Sequence, residues 1–334
     1  MAKIKAEYLV HYYQRNGLPL FNRMMGWLPT LNELLFKFPS PVIDLVNWGL
    51  RSAPAKTIMA KIGIHPEREL PRYAAQSFAR WFETAGPKPT GDAPNGTVVL
   101  FHDTWTNFNE TQIGEAAALV LAAAGYDVHL ATGRKCCGRP LITGGQADKA
   151  KPWVDHNVAL LAPYVAQGVP IVGIEPSCIL TLRDEYLNLA SDQPRAKLLA
   201  SGAFTFEEFV VREVAAKRFP AIWRPLPGKA LLHGHCHQKA LVGNDASVSA
   251  LKAAGYQVEV IASGCCGMAG DFGYETDHFD VSKRIAEDRL LPAVRAAAPE
   301  TVVVASGTSC RHQIEQFAER RPVHIAEALA AALA

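Results

Sequence analysis

"SGCCGMAGDFGYE" (residues 263–275) and "GRKCCGRPLITGG" (133–145) place the same Cys-Cys-Gly twice in one chain. Their surroundings match as well. "AAGYDVHLAT" (123–132) precedes the first copy, and "AAGYQVEVIAS" (253–263) runs into the second. "PIVGIEPSC" (170–178) follows the first copy and "TVVVASGTSC" (301–310) the second. Thr104 and Cys236, Cys136 and Cys265, and Cys178 and Cys310 are 132, 129 and 132 residues apart. Three registered matches at a near-constant offset identify an internal duplication.

Within each copy, short valine- and isoleucine-rich runs alternate with helical stretches. "GTVVLFHD" (96–103), "YDVHLAT" (126–132) and "VPIVGIEPS" (169–177) are predicted buried strands. "EAAALVLAAAG" (115–125) and "PWVDHNVALLAPYVAQG" (152–168) are predicted helices. In the second copy "KALLHGHC" (229–236) stands for the first strand. Such alternation requires parallel sheets with helices on their faces. Upstream, residues 1–82 have helical patterning that Pro29, Pro39 and Pro41 are expected to cut into short helices. "ETAGPKPTGDAPNGT" (83–97) is a Gly/Pro-dense linker, and "RPLPGK" (224–229) is the natural join between copies. The expected fold is α/β: two tandem duplicated parallel-sheet units behind a helical N-terminal segment. The corresponding divisions are 1–95, 96–225 and 226–334.

The 334 residues are 49% hydrophobic and 20% charged, ordinary for a globular protein with a sizeable core. A formal charge of +2 gives no basis for a nucleic-acid partner. The longest strictly apolar run is Ala116–Ala124, well short of the roughly 18 residues a spanning helix needs, so no transmembrane segment is expected. The N-terminus has no signal-peptide hydrophobic stretch. The expected location is cytoplasmic, with peripheral contact to the inner membrane left open.

Seven cysteines, an odd number without a secretion signal, point to metal or redox chemistry rather than a disulfide framework. In each copy the Cys-Cys pair follows the second strand and a lone cysteine follows the third. These strand ends share one edge of a parallel sheet, where ligands bind. In the second copy Cys236, Cys265, Cys266 and Cys310 therefore converge, and four thiolates suit a [4Fe–4S] cluster or a zinc ion. Ser177-Cys178 and Ser309-Cys310 each open a predicted helix, whose N-terminal amides favour a thiolate. Gly138 and Gly267 permit a sharp turn and a close approach to an inorganic core. A single cysteine is ordinarily a small core hydrophobe. That role does not account for a Cys-Cys-Gly copied at matching strand ends, and adjacent ligands strain a simple zinc tetrahedron.

Each copy resembles a CCG domain, the cysteine-rich module of the disulfide-reducing subunit of heterodisulfide reductase. The module also occurs in iron–sulfur subunits of glycolate and lactate oxidases and in a subunit of anaerobic glycerol-3-phosphate dehydrogenase. That family's pattern is a first cysteine, a Cys-Cys-Gly some thirty residues on, then CxxC; in heterodisulfide reductase it holds a noncubane [4Fe–4S] cluster. "CCGRPLITGG", "IVGIEPSCILTLRDEY", "HGHCHQKALVG", "SGCCGMAGDFGYE" and "GTSCRHQI" more closely resemble the C-terminal portion of bacterial FAD-linked oxidases of the D-lactate and D-2-hydroxyglutarate dehydrogenase type.

The sequence departs from the pattern in both copies. Thr104 replaces the leading cysteine of the first, and Glu175 stands where its CxxC would begin. Gly307 replaces the first CxxC cysteine of the second. The resemblance therefore implies a cluster on Cys236, Cys265, Cys266 and Cys310, with Cys136, Cys137 and Cys178 as candidates for a second or shared one. There is neither a CxxCxxCxxxCP ferredoxin run nor a flavin domain. FAD and a ferredoxin-type segment are accordingly expected on a partner domain or subunit, and a quinone or cytochrome as acceptor. Alone, the chain is not expected to oxidise a hydroxy acid.

"HGHCHQK" is expected to set His233, His235 and His237 on one face of a strand end as supporting donors beside Cys236. Lys239 and Arg311 are candidates to offset cluster charge, and "GDFGYE" (270–275) to cover it. The leading functional expectation is an iron–sulfur electron-transfer module of a FAD-linked 2-hydroxy-acid oxidase or dehydrogenase. Two alternatives stand beside it: a disulfide-reducing catalytic component, and a nonredox interaction module. The latter would dock through Trp27, Leu34, Phe36 and Trp48.

Overall fold

A computed structural model describes residues 2–88, 91–219, 223–224 and 228–333. Part of the expected linker and half of the expected join, including the 225/226 division, lie outside the described residues.

The N-terminal segment forms α1 (Ala2–Asn16), α2 (Leu20–Leu35), α3 (Ser40–Leu50), α4 (Ala53–Lys61) and α5 (Phe78–Ala85). Pro39 caps α3 and Pro41 lies in its first turn, positions where a missing N–H costs nothing. Pro29 does not divide the chain as expected: it lies inside α2 and is buried. Burial of that face, with Phe21 and Asn32, outweighs one lost backbone bond.

The first repeat then runs β1 (Thr97–Phe101), α6 (Thr104–Phe108), α7 (Thr111–Ala123), β2 (Asp127–Leu130), α8 (Arg139–Thr143), α9 (Ala147–Ala166), β3 (Ile171–Gly173), α10 (Pro176–Arg183), α11 (Tyr186–Leu189), α12 (Gln193–Ser201), β4 (Ala203–Thr205) and α13 (Phe206–Ala215). The second runs β5 (Lys229–His233), α14 (Cys236–Leu241), α15 (Asp245–Ala253), β6 (Gln257–Val260), α16 (Phe279–Asp288), α17 (Leu290–Ala296), β7 (Val302–Ala305), α18 (Thr308–Ala318) and α19 (Ile325–Ala331).

Both sheets are parallel, ordered β2-β1-β3-β4 and β6-β5-β7. The duplication extends beyond the three matched strands. Strand β4 pairs with β3 through Val172 and Phe204, and a lone parallel bridge joins Val304 to Val323 at the same place in the second repeat. Thr205 and His324, which follow these residues, each close a capping box on the next helix.

Alternation along β1 sorts its side chains between two cores. Val98 and Leu100 enter a core shared with Leu232, Val304 and the helices α7, α13, α15 and α19, which pack between the sheets. Val99 and Phe101 enter a second core with α9, α10 and α12, and that core includes Cys136, Cys137 and Cys178. Cys266 and Cys310 belong to a third core, on the outer face of the second sheet, with Phe21 and Ile64 from the N-terminal segment. Strands β1, β3, β5 and β7 are apolar and buried over most of their length, whereas β6, at a sheet edge, is largely exposed. The cysteines follow the strand ends.

Candidate metal centre

At the end of β5, His235 caps α14 and Cys236 is its first residue. In the first repeat Asp103 caps α6 and Thr104 is its first residue. Thr104 thus occupies the structural place of Cys236. The Asp103 carboxylate accepts from the backbone N–H groups of Trp105 and Thr106 and from the Thr106 hydroxyl.

In the second repeat Cys236 interacts electrostatically with Cys265, Cys265 with Cys266, and Cys266 with Cys310. The Gly267 N–H donates to Cys265 Sγ at 3.3 Å. Bonds from Cys236 and Cys266, together with the backbone donors of Gly267 and Ala269, outweigh burial and pull the Cys265 thiol down. A bond from Cys266, then the nearby His233 and His235, outweigh burial and pull Cys310 down. Sharing with Cys265 and burial push Cys236 and Cys266 up. A cation held among the four would favour the thiolate form of each.

The first repeat is electrostatically different. Cys137 and Cys178 Sγ are 3.2 Å apart, and all three cysteines are buried. Cys136 is raised by its bond to Cys137 and by burial, and Cys137 is also raised. A bond from Cys137 favours the Cys178 thiolate, but burial together with Asp103, Glu175 and Cys136 pushes Cys178 up to about 11. At the start of α10, burial and then the nearby carboxylates work against the expected thiolate, whereas at the start of α18 the bond from Cys266 and then the histidines favour it.

Glu175, met in the sequence only as a missing cysteine, joins the two repeats. Its Oε1 accepts from the Ser177 N–H and hydroxyl at the start of α10. Its Oε2 accepts from the Thr308 N–H, the first residue of α18, at 2.8 Å. One carboxylate therefore caps both cysteine-bearing helices. Gly307 has an equally local reason. A Cβ there would lie 2.3 Å from His235 Cδ2, so the imidazole fills the space a cysteine at 307 would need.

The three histidines do not share one face. His233 ends β5, with Nδ1 2.8 Å from Ser263 Oγ and a buried Nε2 without a hydrogen-bond partner. A ring nitrogen of His233 and the sulfurs of Cys266 and Cys310 lie within 4.8 Å of one another. His235 lies over Gly307, its Nε2 3.9 Å from Glu175. His237 is already within α14 and points toward Asp184 and Glu185, away from the thiols. Burial, then Arg139, His235 and Lys3, hold it down at about 3. The carboxylates beside it are paired, Asp184 with Lys3 and Glu185 with Arg139, so this trio is already charge-balanced.

Lys239 donates to the carbonyls of Ser263 and Gly264 at 2.6 and 2.5 Å and so fixes the loop leading into Cys265. Arg311 does not face the thiols: it is buried, pairs with Glu110 at 2.6 Å, and donates to the carbonyls of Ala305 and Ser306. Gly138 and Gly267 adopt φ of +86° and +91°, as the turn requires. The close approach at Gly267 is to the Ser282 carbonyl. Residues 270–275 are stitched to the N-terminal segment by the Ile64–Glu275 bridge and by Arg68 Nε donating to the Gly273 carbonyl.

Of the proposed docking residues, Trp27, Leu34 and Trp48 are exposed. Phe36 instead packs on Phe108, with ring centroids 4.7 Å apart. No described helix is long and apolar enough to cross a membrane.

Two parallel units with cysteines gathered at their strand ends define a cysteine-rich α/β protein. The chain belongs to the CCG cysteine-rich domain family, whose model matches residues 99–183 and 232–315. It is similar to a subunit of the anaerobic glycerol-3-phosphate dehydrogenase of Escherichia coli, 28% identical over 308 residues that span 90% of this chain and 75% of that protein. Lactate utilization protein A of an Exiguobacterium species is 27% identical over 250 residues, 70% of this chain and 96% of that protein. D-2-hydroxyglutarate dehydrogenase of Pseudomonas putida is 27% identical over 230 residues, 68% of this chain but 22% of that much longer protein.

Proposed function

We propose that the chain is an iron–sulfur electron-transfer component of a dehydrogenase, holding one cluster through Cys236, Cys265, Cys266 and Cys310. The observation that carries this reading is the meeting of Cys266 and Cys310 with His233 within 4.8 Å, with Cys236 and Cys265 interacting electrostatically beside them. An iron–sulfur cluster there would accept and donate single electrons. The chain's own residues set its surroundings. Gly267 donates its N–H to sulfur, Lys239 fixes the loop, and Glu175 accepts from the first N–H of α18, the helix that carries Cys310.

The relatives are named as a dehydrogenase subunit, a dehydrogenase and a lactate utilization protein, which supports a flavoprotein dehydrogenase of a small hydroxylated acid or phosphate ester as the electron donor. FAD would then be on that partner, and a quinone or cytochrome would be the acceptor. In the first repeat, Thr104 in the leading-cysteine place and carboxylates beside the sulfurs support three protonated thiols rather than a second cluster. The domain divisions 1–95, 96–225 and 226–334 are retained in this reading.

Anaerobically purified chain should transfer electrons from dithionite to a ferricyanide or quinone acceptor through a visible-absorbing centre. Cys266→Ala should abolish both the absorption and the transfer. A colourless protein that still folds after anaerobic reconstitution with iron and sulfide would overturn the proposal.

A further inference from the structure

We propose that His233 Nε2 is a direct iron ligand of the second-repeat cluster, beside Cys266 and Cys310. The inference rests on the cluster reading above and deepens it. Three observations carry it.

The first is the shortened cysteine set. Four remain where the family pattern has five, and a side chain at 307 is blocked by His235, whose Cδ2 would lie 2.3 Å from the added Cβ. Cysteine therefore cannot return to that place without displacing the imidazole.

The second is the state of the His233 ring. It is buried at the end of β5, and its Nδ1 is 2.8 Å from Ser263 Oγ. Its Nε2 is buried and has no hydrogen-bond partner. A metal-bound histidine is typically held this way, with one ring nitrogen fixed by an outer hydrogen bond and the other presented to the metal. Donation from Nδ1–H to the serine oxygen leaves a lone pair on Nε2.

The third is position. A ring nitrogen of His233 lies within 4.8 Å of both Cys266 Sγ and Cys310 Sγ. The other two histidines of "HGHCHQK" are otherwise engaged: His235 fills the space over Gly307, and His237 lies beside Asp184 and Glu185. Ser263 comes from the same loop as Cys265, so the serine that orients the ring moves with the sulfurs.

Replacing thiolate by imidazole raises a cluster's reduction potential, because a neutral ligand stabilises the reduced, more negative state. His233→Cys should therefore keep the iron content and shift the midpoint potential to more negative values.

The test is pulsed EPR of the reduced, anaerobically purified full chain, unlabelled and with [¹⁵N]histidine, beside His233→Cys and His233→Gln. Iron and sulfide are assayed on the same samples. The proposal expects a strongly coupled nitrogen in the wild type that changes with the label and disappears in both variants. A loaded wild-type cluster without a strongly coupled nitrogen, or one whose coupling persists in His233→Cys, would overturn the proposal and leave the cluster reading intact. A wild type without iron and sulfide would overturn the cluster reading itself, and this inference with it. If neither variant loads iron, the isotope effect in the wild type still decides for or against a histidine ligand, and the failure to load argues for His233.

Discussion

The glycines of the two Cys-Cys-Gly motifs offer a matched experiment. Both have left-handed backbone, with φ of +86° at Gly138 and +91° at Gly267. An alanine in that conformation costs about 1–2 kcal/mol from the clash of Cβ with its own backbone. Their surroundings differ. An added Cβ at Gly138 meets Ala150 Cβ at 3.3 Å, a tight contact that a slight shift relieves. At Gly267 it would lie 2.1 Å from the Ser282 carbonyl oxygen, on the backbone of α16. Relieving that overlap means moving a helix, and overpacking of this kind adds about 1–3 kcal/mol. Gly138→Ala should therefore cost about 1–2 kcal/mol and Gly267→Ala about 2–5 kcal/mol. Urea unfolding followed by circular dichroism, with both variants beside the wild type, reads the difference. Equal losses would refute the claim that the second motif is pressed against α16 while the first is not.

Glu175→Ala removes the acceptor for both Ser177 and Thr308 N–H groups, and at about 1 kcal/mol per cap should cost about 2 kcal/mol in the same assay; a loss below about 0.5 kcal/mol would show that the shared cap is not made. Replacing Cys136, Cys137 and Cys178 together by serine should leave the iron content unchanged, which metal analysis checks, and a halved content would mean that the first repeat also holds iron. His324 supplies a pH test. Its Nδ1 accepts from the Ala326 N–H, its Nε2 lies 3.2 Å from the Ile174 carbonyl, and burial, then Arg311, hold it down at about 3. The folded value is below the unfolded value of about 6.5, so only the unfolded chain takes up the proton between them. Stability from this residue is complete above about pH 6.5 and falls by about 1.4 kcal/mol per unit below it, about 2 kcal/mol at pH 5. In His324→Asn, which keeps a capping oxygen, that part of the pH slope should vanish; an unchanged slope would refute the assignment.

The duplication was legible because strand ends and cysteines repeat at a near-constant offset, and short apolar runs alternating with helical stretches indicate parallel strands. Strand β4 escaped notice because three residues joined directly to a helix carry no periodic signal. Its counterpart is a single bridging residue, Val323. Pro29 misled because local backbone cost was weighed without the burial of its helix face. "HGHCHQK" suggested one face because alternation was carried past the strand end, whereas α14 begins at Cys236 and turns His237 away. Partners distant in sequence were beyond reach. Arg311 is adjacent to a cysteine, yet its charge is matched by Glu110, 201 residues away. Glu175 looked like a lost cysteine, and its bond to Thr308 spans 133 residues. The proposed ligand cysteines were read from their places after predicted strands together with the resemblance to the CCG pattern, since the edge of a parallel sheet gathers strand ends that are distant in sequence.

The most direct test of the central claim is iron and acid-labile sulfide per chain in anaerobically purified wild type, beside a Cys265→Ser, Cys266→Ser double variant. One second-repeat cluster predicts about four of each in the wild type and close to none in the variant. Stoichiometric zinc without sulfide, or iron and sulfide retained at full content in the variant, would contradict it.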